Sequence, residues 1–375
     1  MEPRRLMATN AYIEQDLVSD SISIPAARHD ARLVNAWGIV THGHGIEVAA
    51  ADSGLTMGFD ASGTAVGAIA SVPAHAGAQG HPTGIVVNND ATKFLFTGAS
   101  GQVSANFIYV TEDGTIDAWN TANRNRTLKV VVDHSPTAIY KGLALGLFKK
   151  QPFLYAANFK SGHVEVFNAS FKPVKLPGTF ADPNLPAHFA PFNIQAVGGQ
   201  LFVSYAKQSG LVGQQAAGAG TGLIDVFSTD GKFVKRFTSG GTLNAPWGMA
   251  VAPSNFAAFS NDILVGNFGD GKINAFNATT GKLHGTVSDF LGHPLVIDGL
   301  WGLAFGNGKG GTIKNGLYFT AGPEHEAEGL YGRVLVDPNY ASASIQPGAA
   351  VMPSMPSVDR AKQDPIDVDE LLTAV

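Results

Sequence analysis

The chain has 375 residues, 45 of them glycine and 20 proline, with 45% hydrophobic and only 15% charged residues, a balance that suits many short buried strands and excludes a disordered chain. The net charge is −5 and the pI about 6.1, and Lys/Arg residues gather only in pairs such as Lys149-Lys150 and Lys235-Arg236, so nucleic acid and anionic membrane surfaces are poor partners. Cysteine is absent, which removes disulfides, thiol nucleophiles and thiolate metal sites.

In chain order, residues 1–11 read as a disordered segment that carries Arg4 and Arg5 but not the apolar run of a secretory signal, so the chain as given reads as cytoplasmic or already processed. Tyr12 to Ile24 is an orphan strand candidate. A short apolar strand introduced by a small-residue turn then recurs, as Asn35-Ala-Trp-Gly-Ile-Val40, His81-Pro-Thr-Gly-Ile-Val86, Tyr140-Lys-Gly-Leu-Ala144, Ala190-Pro-Phe-Asn-Ile194, Ala245-Pro-Trp-Gly-Met249 and Asp298-Gly-Leu-Trp-Gly-Leu303. Gly38, Gly84, Gly142, Asn193, Gly248 and Gly302 take equivalent places, spaced by 46, 58, 51, 55 and 54 residues. Such periods, each holding several strands, are those of propeller blades.

Each copy continues with a second strand, a polar turn and a third, alternating strand, as in Phe153-Leu-Tyr-Ala-Ala-Asn158 with His163-Val-Glu-Val-Phe-Asn168 and Ile263-Leu-Val-Gly-Asn267 with Lys272-Ile-Asn-Ala-Phe-Asn277. An outer strand such as Lys232-Phe-Val-Lys-Arg-Phe237 makes four. The sequence therefore predicts an all-β fold, a six-bladed β-propeller of four-stranded antiparallel blades over residues 12–340. The sixth copy runs out after Leu330-Tyr-Gly-Arg-Val-Leu-Val336, so the N-terminal strand is expected to complete it and close the ring, removing exposed sheet edges. Lys93 to Ala105 is an insertion in the second repeat, and Ser209 to Thr221, rich in Gly, Ala and Gln, is read as a flexible loop in the fourth. Residues 341–375, rich in Ala, Ser, Pro and acids, read as a disordered tail. No run reaches the roughly 18 to 20 apolar residues of a membrane span.

Leu33-Val-Asn-Ala-Trp-Gly, Thr111-Glu-Asp-Gly-Thr-Ile, Tyr140-Lys-Gly-Leu-Ala, Ala190-Pro-Phe-Asn-Ile, Val265-Gly-Asn-Phe-Gly-Asp-Gly, Asp298-Gly-Leu-Trp-Gly-Leu and Tyr318-Phe-Thr-Ala-Gly together resemble an uncharacterised family of conserved hypothetical propeller proteins, over about Gln15 to Val336. That resemblance implies export, because its members usually carry a signal peptide and some a C-terminal surface-sorting anchor. More distantly the repeat plan is similar to NHL-repeat propellers and to the gluconolactonase, paraoxonase and strictosidine-synthase group.

In a four-stranded meander, the turns between the second and third strands and the links into each next blade emerge at one end of the channel. This end is the expected working surface. Its loops offer Asp52, Glu112 with Asp113, Asn158, Asn267 and Glu324-His325-Glu326, and its inter-blade links offer Asn35, His81, Lys141, Asn193, Asn244 and Asp298. Carboxylates and carboxamides on strand ends form the oxygen-rich surroundings of a hard divalent cation such as calcium. By analogy with lactonase-type propellers, the metal ligands expected are Glu112, Asn158, Asn193, Asn267 and Asp298, with Glu112, Asp298, Lys141 and Glu324 as the catalytic set, Glu326 being an alternative to Glu324.

Asn and Asp in tight turns also serve local backbone N–H groups, which is the competing reading for each. His81 and His325, with His75 and His293, allow a zinc or iron reading, against which stands a loop histidine bonded to its neighbours. Lys141 either orients an anionic substrate or pairs with Glu112 or Asp298. Trp37, Trp247 and Trp301, at one repeat position, either stack on a ligand together with His81 and His325 or pack between blades. Three functions follow: a metal-dependent hydrolase of an ester or lactone, a non-catalytic exported module binding a ligand or protein, and a lyase or isomerase using His81, Lys141 and Glu112.

Overall fold

A computed structural model describes residues 11–98, 101–122 and 126–341; residues 1–10 and 342–375, which hold nearly all of the expected disordered ends, lie outside the described residues. Six small antiparallel sheets stand around one channel. From the channel outwards, blade 1 holds Ala36–His42, Gly45–Ala50, Leu55–Phe59 and Ala65–Ser71, and blade 2 holds Pro82–Val87, Phe107–Thr111, Thr115–Trp119 and Lys129–Asp133. Blade 4 holds Phe189–Val197, Gln200–Lys207, Gly222–Ser228 and Phe233–Ser239, and blade 5 holds Pro246–Val251, Ile263–Asn267, Ile273–Phe276 and Leu283–Thr286. The insertion in the second repeat folds as its own hairpin, Leu95–Gly98 with Gly101–Ser104.

Blade 6 carries Leu300–Phe305, Leu317–Ala321 and Leu330–Val336, and its fourth strand is Tyr12–Ser19, antiparallel to the third from Tyr12 opposite Val336 to Ser19 opposite Leu330. The ring is thus closed by the N-terminal strand. A short parallel strand, Arg28–His29, adds to its outer edge.

Blade 3 has three strands, Tyr140–Phe148, Gln151–Asn158 and His163–Asn168, with only a bridge at Pro173 in the fourth place. Val174 donates to the Val166 carbonyl, and the chain then leaves for blade 4, where Gly178 donates to Asp230 and Phe180 to Gly231. Pro173 and Pro177 lack the N–H groups that would extend a ladder, which explains the short stop.

The core lies between blades rather than within one. Ile108, Val110 and Ile116 of blade 2 pack with Leu143, Leu154 and Phe167 of blade 3, and the other interfaces repeat this plan. Burying each such side chain contributes about 1.5–3 kcal/mol. At the waist of the channel the innermost strands touch backbone to backbone. A Cβ on Gly84 would lie 2.6 Å from the Leu143 nitrogen, one on Gly248 2.5 Å from the Trp301 carbonyl oxygen, and one on Gly302 2.6 Å from that of Trp37. Only glycine permits this approach. In blade 4 the equivalent Asn193 has a side chain, and its amide donates to the Trp247 carbonyl at 2.7 Å, tying blade 4 to blade 5.

Candidate functional site at the channel mouth

The residue before each waist position points at the mouth end of the channel and reads Trp37, Thr83, Lys141, Phe192, Trp247 and Trp301 around the ring. The three tryptophans, Phe159, Phe192 and Phe268 form a closed aromatic floor, with Trp37 and Trp301 at 3.7 Å and Phe268 and Trp301 at 4.1 Å between ring centroids. Their indole N–H groups are satisfied from within: Trp37 and Trp301 donate to Asn35 Oδ1 at 2.7 and 3.2 Å, and Trp247 donates to the Lys141 carbonyl at 2.9 Å. Trp37 and Trp301 are fully buried, so inter-blade packing describes them as they stand.

Lys141 is the one charged member of this ring. Its side chain is 2% exposed, its ammonium donates to Glu112, and it lies 4.7 Å above the centroid of Trp37. A cation over an indole face, desolvated and paired with a carboxylate, is held by both attractions. Glu112 is 28% exposed and so links this buried charge to the solvent side of the mouth.

Blade 6 supplies a second carboxylate through unusual backbone. Glu324, His325 and Glu326 all have left-handed φ, of 53, 59 and 72°, forming a turn closed by the Glu326 N–H on the Gly322 carbonyl at 3.0 Å. Three consecutive L-residues in this region cost roughly 1–2 kcal/mol each, and strain of this kind is kept where the surroundings enforce it. The turn leaves Glu324 and His325 exposed and turns Glu326 inwards, where its Oε2 accepts from Asn35 Nδ2 at 3.2 Å. Asn35, itself left-handed at φ 50°, also donates to Asp52 Oδ1 at 3.4 Å.

Burial raises the Glu326 pKa above the ordinary carboxylate value, with Lys141 opposing the shift and Glu112 and Asp52 adding to it. Asp52 is raised as well, first by burial and then by Glu112, against Asn35 and His81. His81 is raised by its hydrogen bond with Asp113, reinforced by the charges of Asp113, Asp52 and Glu112; its Nδ1 lies 3.1 Å from Asp113 Oδ2. The mouth thus gathers four acids, a buried ammonium and a histidine from blades 1, 2, 3 and 6.

The remaining expected residues are elsewhere or otherwise engaged. Asn158 accepts from the Ile139 and Ser161 N–H groups at 3.2 and 3.1 Å and donates to Glu165 at 2.7 Å. Asn267 does the same work in blade 5, accepting from Asn244 N–H at 3.1 Å and donating to the Thr242 carbonyl at 2.7 Å. Asn193 sits at the waist, its Oδ1 accepting from the Ile194 N–H at 2.8 Å. Asp298 is exposed and accepts from the Glu324 N–H at 2.9 Å, apart from the Lys141 pair. His75 and His293 each meet a separate carboxylate, Asp133 at 2.6 Å and Asp289 at 3.3 Å. Among the described residues no three His, Asp or Glu side chains are grouped as a metal site. Of the expected set, Glu112 and Lys141 meet directly, whereas Asn158, Asn193 and Asn267 hydrogen-bond to nearby backbone and side chains.

Sequence reasoning offered Asn35 and Asp52 as loop residues without choosing them, and Glu326 as the alternative to Glu324. The signal for Lys141 is its place in a ring that is otherwise aromatic or threonine. The choice of Glu326 over Glu324 needs the left-handed turn, and the Gly322-Pro323 step before it is the sequence trace of that turn. A Cβ on Gly322 would press on the Asn35 amide and lie 3.3 Å from Glu326 Cα.

No family model matches the chain. It is 32% identical over 343 residues to uncharacterised protein R648 of Acanthamoeba polyphaga mimivirus, spanning 89% of this chain and 82% of that protein. It is 32% identical over 345 residues to uncharacterised protein L690 of the same virus, spanning 89% and 88%. Among solved structures, a protein of unknown function from Bacteroides thetaiotaomicron superposes with a TM-score of 0.54 at 10% identity, over 87% of this chain and 76% of that one. A streptogramin B lyase superposes with a TM-score of 0.50 at 11% identity, over 87% and 98%. At such identities the likeness to the solved structures is one of fold.

Proposed function

We propose that this chain, which belongs to the family of the two mimivirus proteins, acts on a small molecule at the channel mouth by proton transfer, as a lyase or isomerase. The observation that carries this is the left-handed turn holding Glu326 beside the Lys141–Glu112 pair. Glu326, protonated over a wider pH range than an ordinary glutamate, serves as general acid. Glu112, anchored by Lys141 and reached by solvent, takes the proton from the substrate, and the Lys141 ammonium stabilises negative charge that develops near it. His81 with Asp113 is a further proton carrier at the rim. Perturbed acids gathered around one buried cation at the end of a channel are a mark of such sites.

Metal-dependent hydrolysis of an ester or lactone is the competing proposal, with calcium as the cation expected there. The amides of Asn158, Asn193 and Asn267 are engaged with their own backbone and neighbours, which favours the acid–base reading. The test is a panel of lactones, esters and cyclic depsipeptides incubated with the purified protein, with EDTA or with added calcium. Turnover that survives EDTA and falls at least tenfold in both Glu326→Gln and Glu112→Gln is the expected result. Turnover that requires calcium would support the hydrolase, and turnover unchanged in the two variants would remove the mouth from the chemistry.

A further inference from the structure

Below the glycine waist the channel widens again, at the end opposite the mouth. The waist itself encloses only about 30 Å³, and the cluster of tryptophans and phenylalanines packs together above it. The lower cavity has a volume of about 410 Å³. It is formed by the second halves of the six innermost strands, Ile39–Thr41, Ile85–Val87, Leu143–Leu145, Gln195–Ala196, Met249–Val251 and Leu303–Phe305.

Three features define what would fit. No charged side chain lines the cavity, so a charged ligand would lose its hydration without compensation. Each innermost strand pairs only with the second strand of its blade, so its other edge presents backbone N–H and C=O groups to the channel. Gln195 occupies a position at which the other five strands carry Val40, Val86, Ala144, Ala250 and Ala304, and it is exposed in the cavity. It is the single amide side chain in a lining otherwise made of aliphatic residues, Met249, Phe305 and Thr41.

We infer that this lower cavity is a second binding site, for an uncharged amphipathic small molecule with an apolar body and at least one hydrogen-bonding group directed at Gln195. Its volume lies within the roughly 300–1,000 Å³ of small-molecule sites, which are mostly apolar with few polar anchors. The inference is independent of the chemistry assigned to the mouth, because the waist separates the two.

The test uses the full chain and N-phenyl-1-naphthylamine, a neutral fluorescent probe with one N–H group. The expected result is a saturable rise in fluorescence at one probe per chain. Gln195→Leu, which removes the amide at an exposed position, is expected to weaken binding by about 2- to 10-fold, the value of one hydrogen bond. Gln195→Trp, which fills the cavity, is expected to weaken it more than tenfold, with circular dichroism and melting temperature reporting that the fold is kept. If that variant fails to fold, Thr41→Phe fills the cavity from the opposite side. Absence of saturable binding, or binding unchanged in the folded cavity-filling variant, would overturn the proposal.

Discussion

Replacing Lys141 with methionine keeps an unbranched apolar stem, one heavy atom shorter, and removes the ammonium that lies above Trp37 and donates to Glu112. Breaking a fully buried ion pair costs about 3–5 kcal/mol because an uncompensated charge is left behind. Here the surviving partner, Glu112, is 28% exposed and gains water, which reduces the expected loss to about 1–3 kcal/mol at pH 8. The loss should depend on pH. Lys141 opposes the raised pKa of Glu326, so without it the Glu326 pKa rises further in the folded state. A carboxylate whose folded pKa lies above its unfolded value binds more protons when folded, and stability then falls as pH rises between the two. The variant should therefore lose more relative to the native chain at pH 8 than at pH 5. Urea unfolding at both pH values measures this, and a cycle with Glu112→Gln isolates the pair. Equal losses at the two pH values, or a variant more stable than the native chain at pH 8, would refute the view that Lys141 is a charge holding the mouth acids together.

The waist glycines admit no Cβ, so Gly84→Ala or Gly248→Ala should destabilise the protein by about 1–3 kcal/mol in urea unfolding, while Gly43→Ala, with nothing within 4 Å, should be nearly silent. Glu47 is fully buried, bonded by Thr56 at 2.5 Å, and its pKa is pushed up by burial to about 8. Its folded pKa exceeds the unfolded one, so the native chain should lose stability as pH rises from about 4.5 to about 8, and Glu47→Gln should flatten that slope in thermal melts across the same range. Deleting residues 1–24 removes the fourth strand of blade 6 and the Tyr12 hydroxyl bond to the Phe256 carbonyl at 3.1 Å; it should lower the melting temperature of the whole ring, and unchanged calorimetry would contradict closure by that strand.

The ring was legible because the same local problem is solved six times. Each small residue at the waist recurs at nearly one spacing, and each alternating third strand follows a turn. The exception is blade 3, where four strands were expected: Pro173 and Pro177 were visible, but the pull of Gly178 and Phe180 towards blade 4 is a tertiary contact that no local pattern carries. The site was legible in type but not in selection. Topology narrowed the partner of Lys141 to Glu112 or Asp298 without deciding between them, and the hydrogen bonds that engage the Asn158 and Asn267 amides are tertiary details that no repeat pattern carries. Likewise, two glutamates flanking one histidine in the same loop are distinguished only by the backbone that turns Glu326 in and Glu324 out. The lower cavity escaped notice because its walls are ordinary blade residues, with Gln195 alone departing from the repeat.

The strand that closes blade 6 also sets an order in time. Tyr12–Ser19 finds its partner, Leu330–Val336, across more than 300 residues of chain. At about 5–20 residues per second, the ribosome needs roughly 15–60 s between making the one and the other. Throughout that interval a buried-to-be segment containing Tyr12, Leu17 and Val18 has no sheet to join, and blade 5 lacks the neighbour that covers Phe256 and Phe259. Five blades can stack as they emerge, but the circle joins only after the last of the ring is made, so the nascent chain carries an open seam for nearly the whole of its synthesis.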